Sequence, residues 1–157
     1  MELDGCAVII PALDEEASLP LVLADLERLG LLGSTIVVDN GSRDATARIA
    51  REGGAHVAEE PRRGYGAACL RGLEALPLIP RTVDIVVFMD ADHSDDASLI
   101  PDLVRPVRAG LADLVIGSRA SGNAAPGSLK VHQRIGNAAM CVLIRLLFDP
   151  QCIVEVR

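Results

Sequence analysis

The segment Asp84-Ile-Val-Val-Phe-Met-Asp90-Ala-Asp92 is a run of apolar, largely β-branched residues that ends in two carboxylates one residue apart. Such a run predicts a buried strand, the strongest one in the chain. In open α/β sheets, ligands bind beyond the carboxyl ends of the strands. Asp90 and Asp92 therefore stand where such a fold places its functional groups.

On either side of this segment, shorter apolar runs predict strands at residues 6–10, 35–38, 55–59 and 114–116. Apolar residues at helical spacing predict helices at 19–29, 45–52, 66–76, 98–109 and 134–148, with a loop at 120–130. Ser18 is expected to cap the first helix, and Ser42 or Asp44 the second. Strands that alternate with helices imply an α/β fold with a parallel sheet, and no repeat or long linker divides residues 1–157.

The composition limits the class of protein. Half of the 157 residues are hydrophobic and only 2% are aromatic, so the core must consist of aliphatic side chains, and disorder is excluded. The net charge of −7, from 15 basic and 22 acidic residues, argues against a nucleic-acid partner. Four cysteines without CxxC spacing, no secretory signal and no apolar run of ~18 residues predict a cytoplasmic protein without a membrane span.

The Asp-x-Asp pair predicts a cation site. Two carboxylates at the turn that follows a strand can converge on Mg²⁺ or Mn²⁺, which prefer oxygen ligands and keep coordination positions for phosphates. The alternative is an acidic turn over residues 92–96 that caps the following helix. An EF-hand is excluded, because Asp95 and Pro101 stand where that loop needs Gly and Glu.

Two further segments carry polar groups that suit a nucleotide. Asp39 ends the second strand, where an acid can accept hydrogen bonds from a ribose, although it could equally cap the next helix. Arg62-Arg63-Gly64-Tyr65-Gly66 opens a helix, and its glycines, arginines and helix N-terminus suit a phosphate. The alternative is a flexible basic turn. The segment is neither a Walker loop nor the dinucleotide-binding fingerprint.

Five blocks follow one another along the chain: Val8-Ile-Ile-Pro11-Ala-Leu-Asp14-Glu15-Glu16, Ile36-Val-Val-Asp39-Asn-Gly41-Ser42-Arg-Asp44-Ala-Thr46, Gly64-Tyr-Gly66-Ala-Ala, Met89-Asp90-Ala-Asp92 and Gly117-Ser118-Arg119. In order and spacing they resemble glycosyltransferase family 2, and within it the polyprenyl-phosphate (dolichyl-phosphate) mannosyl- or glucosyltransferases. The resemblance spans residues 6–148 and implies a GT-A fold, which is a Rossmann-like, mostly parallel sheet flanked by helices. It also implies a nucleotide-sugar donor.

The resemblance assigns roles to particular residues. The residues expected to bind the nucleotide are Pro11, Leu13, Glu15, Asp39, Arg63, Gly64, Asp90 and Ala91. Asp90 and Asp92 are expected to hold Mg²⁺ or Mn²⁺, and Ser94 is placed to add an oxygen. Catalytic roles fall to Asp92, Arg119 and Arg134, the two arginines facing donor phosphate or an anionic acceptor. Leu13 stands where the family often has an aromatic residue.

The implied reaction moves a sugar from a UDP- or GDP-sugar to an acceptor by metal-assisted inverting displacement. An alcohol acceptor needs a general base, which in this family comes from a later motif, whereas a polyprenyl or dolichyl phosphate is already an anion. We therefore expect a lipid-phosphate acceptor, a location at the inner face of the membrane and, as a further option, a homodimer. Residues 6–119 are expected to form the donor half and 120–157 a shortened acceptor region that could compromise activity.

Two other functions fit parts of the pattern. A non-catalytic module that binds nucleotide sugar and metal is favoured if the chain is truncated. A phosphohydrolase of the haloacid dehalogenase type also uses a strand-final Asp-x-Asp. It is disfavoured because it would place that motif near the N-terminus and would have Thr or Val where Ser94 stands.

Overall fold

The computed structural model of the chain describes residues 3–117 and 153–156. They belong to two units, one that extends to Ile100 and one that starts at Pro101. The first unit contains β1 (Cys6–Ala12), α1 (Leu19–Arg28), β2 (Thr35–Asp39), α2 (Thr46–Glu52), β3 (His56–Glu59), α3 (Tyr65–Glu74) and β4 (Ile85–Phe88). Short 3₁₀ turns occupy Leu32–Ser34, Leu76–Leu78 and Ala97–Leu99. Then follow α4 (Ile100–Arg108), β5 (Leu114–Gly117) and β6 (Ile153–Val156).

The first unit is built on a four-stranded sheet with strand order β3-β2-β1-β4. All three pairings are parallel, and Ile9 of β1 is aligned with Ile36 of β2 and with Phe88 of β4. This arrangement confirms the predicted α/β fold with a parallel sheet. Because the strands run in the same direction, their carboxyl ends all lie at one edge of the sheet.

The core of this unit is aliphatic, as its composition requires. Every residue of β1 is buried. Ile9, Ile36 and Val38 of the sheet belong to one cluster with small residues, among them Ala58, Ala68 and Ala75. Helix α3 lies so close to the sheet that a Cβ atom built on Gly72 would be 2.3 Å from Cγ2 of Ile9. The absence of a side chain at Gly72 therefore sets the distance between this helix and the central strand.

Strand β1 is longer than its sequence predicts, because it continues through Pro11 to Ala12. The carbonyl of Ile9 accepts a hydrogen bond from the amide of Met89, so Pro11, two residues later, faces the same neighbour. The pairing with β4 ends at Ile9 and Phe88, so no ladder bond is required of Pro11 on that side. The missing N–H of Pro11 therefore costs the sheet nothing.

Two strand predictions need correction. The strand predicted at 84–89 is found as β4, but it is only partly buried: it is the last strand of the sheet among the described residues, and Phe88 is 43% exposed. The predicted strand at 114–116 exists as β5, but it pairs in parallel with β6 in a separate two-stranded sheet of the second unit. The predicted loop at 120–130 and helix at 134–148 lie outside the described residues.

The helix starts also differ in detail. Ser18 precedes α1 without a capping hydrogen bond from its side chain, since its hydroxyl donates to the carbonyl and carboxylate of Glu15. The N-cap residue of α2 is Ala45, so neither Ser42 nor Asp44 is the cap that the sequence predicts. The carboxylate of Asp44 instead accepts the amide of Thr46, the first residue of the helix, at 2.9 Å. Within the described part of the chain, no helix is both long and apolar enough to cross a bilayer.

Gly72 and Gly66 lie in the same helix and offer a matched test of this packing. Alanine at position 72 should destabilise the fold by about 1–3 kcal/mol because its methyl group collides with Ile9. Alanine at position 66, where a Cβ atom meets nothing within 4 Å, should be neutral or stabilise by up to about 1 kcal/mol. Urea unfolding of both variants measures the difference, and equal stabilities would contradict the close approach of α3.

Candidate functional site

A concave pocket lies beyond the carboxyl ends of β1, β2 and β4, beside the start of α3. Most residues predicted to bind nucleotide or metal line it, namely Pro11, Leu13, Glu15, Gly64, Asp90, Ala91 and Asp92. The fold brings together residues from distant parts of the chain because its parallel strands end at one edge. Four further residues line the pocket that the sequence analysis did not single out: Ala12, Asn40, Tyr65 and Ala68.

Three of the predicted residues do not line the pocket. The carboxylate of Asp39 accepts the amide of Ser42 at 3.1 Å, and Arg63 donates from Nη2 to the carbonyl of Gly41 at 3.3 Å. Ser94 follows the pocket carboxylates, and its amide donates to Oδ1 of Asp92 at 2.9 Å. Their ligand roles stay predictions. Arg119 and Arg134 lie outside the described residues.

Asn40 fixes the segment that leads into α3. Its side chain is buried, and its Nδ2 donates to the carbonyls of Glu60 and Arg62, both at 2.8 Å. Its Oδ1 accepts the amide of Gly64 at 2.8 Å. One side chain thus ties residues 60–64 to the end of β2. In the sequence, Asn40 has the appearance of an ordinary turn residue after a strand-final acid.

A buried carboxylate supports the same segment. Glu60 is 4% exposed, and its Oε1 accepts the backbone amide and the Nε of Arg62 at 2.8 and 3.1 Å. The hydrogen bonds from the Arg62 side chain and backbone hold the pKa of Glu60 below its usual range. Because its guanidinium pairs with Glu60, Arg62 contributes to the shape of the turn before Gly64.

The loops after β1 and β2 are joined by reciprocal hydrogen bonds. The amide of Asp14 donates to Oγ of Ser42 at 3.0 Å, while the amide of Arg43 donates to Oδ1 of Asp14 at 2.7 Å. The amide of Glu15 donates to Oγ1 of Thr46 at 2.8 Å. These bonds hold the backbone of Glu15 at the wall of the pocket.

Side-chain hydrogen bonds also stabilise the loop that carries Asp90 and Asp92. The amide of Asp90 donates to Oδ2 of Asp95 at 3.0 Å, and His93, with φ of 59°, places its Nε2 2.9 Å from Oδ2 of Asp25 in α1. The turn that follows is capped by Asp96, whose Oδ1 accepts the amide of Ser98 at 2.9 Å. The alternative of an acidic turn over residues 92–96 that caps the following helix is therefore realised through Asp96, while Asp92 lines the pocket.

Asp90 and Asp92 form a donor set that fits a cation shared with a phosphate ligand. Within residues 3–117 and 153–156, no three His, Cys, Asp or Glu side chains gather into a complete metal cage. Two carboxylates on one pocket wall, with remaining positions open to phosphate oxygens and water, match how Mg²⁺ binds in phosphate-handling sites. The residues present therefore fit Mg²⁺ or Mn²⁺.

Tyr65, the first residue of α3, lines the pocket together with these carboxylates. Partial burial, followed by the negative charge of Asp90, raises the pKa of Tyr65 to about 12, so the phenol keeps its proton at neutral pH. Burial likewise raises the pKa of the Cys69 thiol. The sequence carries no local sign that Tyr65 shares a pocket with Asp90, a residue 25 positions away.

Comparison with known proteins gives the family. Residues 7–152 match glycosyl transferase family 2, and the chain belongs to this family. It is 46% identical over 116 residues to an uncharacterized glycosyltransferase of Mycobacterium tuberculosis, covering 74% of this chain and 49% of that protein. It is 33% identical over 144 residues to a dolichyl-phosphate hexose transferase of Haloferax volcanii, covering 92% of this chain and 60% of that protein.

Solved structures agree with this assignment. The chain is similar, with a TM-score of 0.65 and 30% identity, to glucosyl-3-phosphoglycerate synthase from M. tuberculosis in complex with Mn²⁺, UDP-glucose and phosphoglyceric acid. The match covers 90% of this chain and 49% of that one. These neighbours confirm the predicted family and the GT-A fold. The chain spans about half the length of the first curated relatives it matches.

Replacing Asn40 by Asp tests the hydrogen bonds that hold residues 60–64 to the end of β2. Asp keeps the acceptor for Gly64 but loses the two donors and sets a carboxylate against the carbonyls of Glu60 and Arg62. We expect a loss of about 2 kcal/mol in the free energy of unfolding. The reverse exchange next to it, Asp39→Asn, keeps an acceptor for Ser42 and should change stability little. Equal effects of the two variants in urea unfolding would contradict the role of Asn40.

Proposed function

We propose that the protein is a glycosyltransferase that moves a sugar from a nucleotide-diphosphate sugar to an acceptor with the help of Mg²⁺ or Mn²⁺. The observation that carries this proposal is the convergence of Asp90, Asp92 and the start of α3 on one pocket at the strand ends. Membership of glycosyl transferase family 2 supports it. The complex of a similar enzyme with Mn²⁺ and UDP-glucose supports the choice of donor and metal.

The wall of the pocket formed by β1 suits the nucleoside. Pro11, Ala12 and Leu13 supply apolar surface for a base, and Glu15 supplies a carboxylate for hydroxyl or N–H groups. We assign the nucleobase and ribose to this wall. Asp39 remains a proposed contact for the nucleoside, although the structure places it outside the pocket lining.

The opposite wall suits the diphosphate. Gly64 has φ of 136° and Gly66 has open space at its Cβ position, so a ligand can approach the backbone closely. α3 is a ten-residue helix, and the partial positive charge at its N-terminus favours an anion. Asp90 and Asp92 face the same space. We propose that they hold the cation that neutralises the two phosphates.

The chemistry follows from this placement. The acceptor oxygen forms a bond to the anomeric carbon as the bond from that carbon to the diphosphate oxygen breaks, and the electron pair leaves with the diphosphate. A bound divalent cation would neutralise the negative charge that develops on the leaving diphosphate. We propose that Asp90 and Asp92 would hold this cation beside the diphosphate. We also propose that Arg119 and Arg134 face the donor phosphate or the acceptor. Attack opposite the leaving group inverts the anomeric centre.

We further propose a polyprenyl or dolichyl phosphate as the acceptor, met at the inner face of the membrane. Similarity to a dolichyl-phosphate hexose transferase supports this choice. An anionic phosphate oxygen also needs no general base. The similar synthase that was solved with phosphoglyceric acid favours a second candidate, a small phosphorylated acid. Both candidates carry a phosphate group, and the second also offers a hydroxyl, for which a general base would be needed.

The metal role is tested by neutralising each carboxylate. Asp90→Asn and Asp92→Asn should weaken Mn²⁺-dependent UDP binding at least tenfold, because each removes a charged oxygen ligand from the site. Isothermal titration calorimetry with UDP, with and without Mn²⁺, measures the change. Asp102→Asn, a change of the same kind outside the pocket, is the control and should bind like the unmodified protein. Unchanged Mn²⁺ dependence in both pocket variants would contradict the assignment.

Turnover separates the transferase from a binding module. The protein is incubated with UDP- or GDP-sugars and Mn²⁺ or Mg²⁺, and release of the nucleotide is measured with and without a polyprenyl phosphate or a phosphoglyceric acid. A transferase releases nucleotide faster when the correct acceptor is present. Metal-dependent binding without release would support the non-catalytic module, and no binding of any nucleotide would contradict both.

A further inference from the structure

Ser18 does not play the usual role of a serine that precedes a helix. Such a serine normally accepts a hydrogen bond from a backbone amide of the first turn, and that bond stabilises the start of the helix. In the described structure of α1, the side chain of Ser18 makes no such capping bond. Its hydroxyl points back along the chain and donates to Oε2 of Glu15 at 2.5 Å. A residue that departs from a local folding rule in this way indicates a functional constraint nearby.

Glu15 is held at its backbone as well as at its side chain. Its amide donates to Oγ1 of Thr46 at 2.8 Å. Thr46 is fully buried, and its hydroxyl donates its proton to the carboxylate of Asp44, so its oxygen is left to accept that amide. The carbonyl of Glu15 accepts the amide of Leu19 at 3.0 Å. The bond from Ser18 adds what the backbone contacts cannot supply, because it fixes the direction of the carboxylate.

The carboxylate of Glu15 retains the capacity to bind a ligand. A carboxylate has two oxygens with about four acceptor positions, and it donates nothing. The hydroxyl of Ser18 occupies one of these positions. Glu15 lines the pocket together with the apolar residues Pro11 and Leu13. The remaining positions therefore suit a ligand that presents an O–H or N–H group on an apolar body, as a nucleoside does.

We propose that Ser18 is a positioning residue that orients the carboxylate of Glu15 to accept a hydrogen bond from the nucleoside of the donor substrate. This inference rests on the proposed function and adds a residue to it. Ser18 does not itself line the pocket, so it acts through Glu15. A long side chain loses rotamer freedom when it binds a ligand, and a hydrogen bond that fixes the side chain beforehand reduces that cost.

The test compares binding of the whole nucleotide with binding of its diphosphate part. Ser18→Ala removes the hydroxyl and Ser18→Thr retains one. Ser98→Ala is the matched control, because the hydroxyl of Ser98 donates to the carboxylate of Asp96 at 2.7 Å outside the pocket. Calorimetry measures the binding of UDP, GDP and inorganic diphosphate, each with Mn²⁺. We expect about fivefold weaker nucleotide binding for Ser18→Ala with unchanged diphosphate binding, and no change in either quantity for Ser18→Thr and Ser98→Ala.

Nucleotide analogues identify the group that donates to Glu15. The analogues lack the 2′-hydroxyl, the 3′-hydroxyl or, through methylation, the N–H groups of the base. The difference in affinity between the unmodified protein and Ser18→Ala should shrink for the analogue that lacks the contacted donor. An undiminished difference for all three analogues would overturn the proposal, because Glu15 would then accept from no group of the nucleoside.

A double-mutant comparison distinguishes positioning from a general structural effect. In a Glu15→Ala background, adding Ser18→Ala should bring no further loss of nucleotide affinity, because the carboxylate that Ser18 positions is gone. Additive losses would overturn the proposal, and so would an equal loss of diphosphate binding. A Ser18→Ala variant that binds nucleotide as tightly as the unmodified protein, or more tightly, would do the same. If the unmodified protein binds neither UDP nor GDP, the proposed function itself fails.

Discussion

The side chain of Asn40 determines how the pocket is put together. Its amide reaches the carbonyls of Glu60 and Arg62 and the amide of Gly64, all in a segment 20 to 24 residues further along the chain. These hydrogen bonds join neutral groups in a buried or partly buried segment, and a shorter side chain would leave their polar partners without them. The pairing with β2 reaches only Glu60, so the segment from there to Gly64 that leads into α3 is held by this contact.

The sheet supplies the frame on which this contact acts. β1 is buried along its whole length, and Gly72 allows α3 to lie directly on Ile9. A helix held this close points its N-terminus at the edge where β1, β2 and β4 end. The pocket therefore combines one wall that comes from strand ends with another that comes from a helix start. The family's donor chemistry needs both an apolar surface and anion-binding groups, and this geometry offers them side by side.

Much of this arrangement could be predicted from local sequence. β-branched runs gave the strands of the main sheet, and polar residues after three of them predicted a shared ligand site that includes Glu15, Asp90 and Asp92. These signals are local because burial and strand ends leave their mark within a few residues. The five sequence blocks also predicted the family, which the comparisons confirm.

The remaining features depend on contacts between distant residues. Asn40 and Tyr65 look like turn and helix-start residues until the hydrogen bonds of Asn40 and the pocket around Tyr65 are known. The edge position of β4 depends on which strand lies beside it, and the pairing of β5 with β6 joins segments almost 40 residues apart. Which acid of the turn at 92–96 caps the following helix depends on side-chain orientation, and the structure assigns this role to Asp96.

The central claim is that a divalent cation and a nucleotide meet at the strand-end pocket. It is tested most directly by adding Mn²⁺ to the UDP-bound, ¹⁵N-labelled protein and recording which amide signals broaden, with Mg²⁺ as the diamagnetic reference. The amides of Tyr65, Ala91 and Asp92, which line the pocket, are expected to broaden first. Earlier broadening at the exposed acidic loop of Asp14 and Glu16, with the pocket amides still sharp, would contradict the claim.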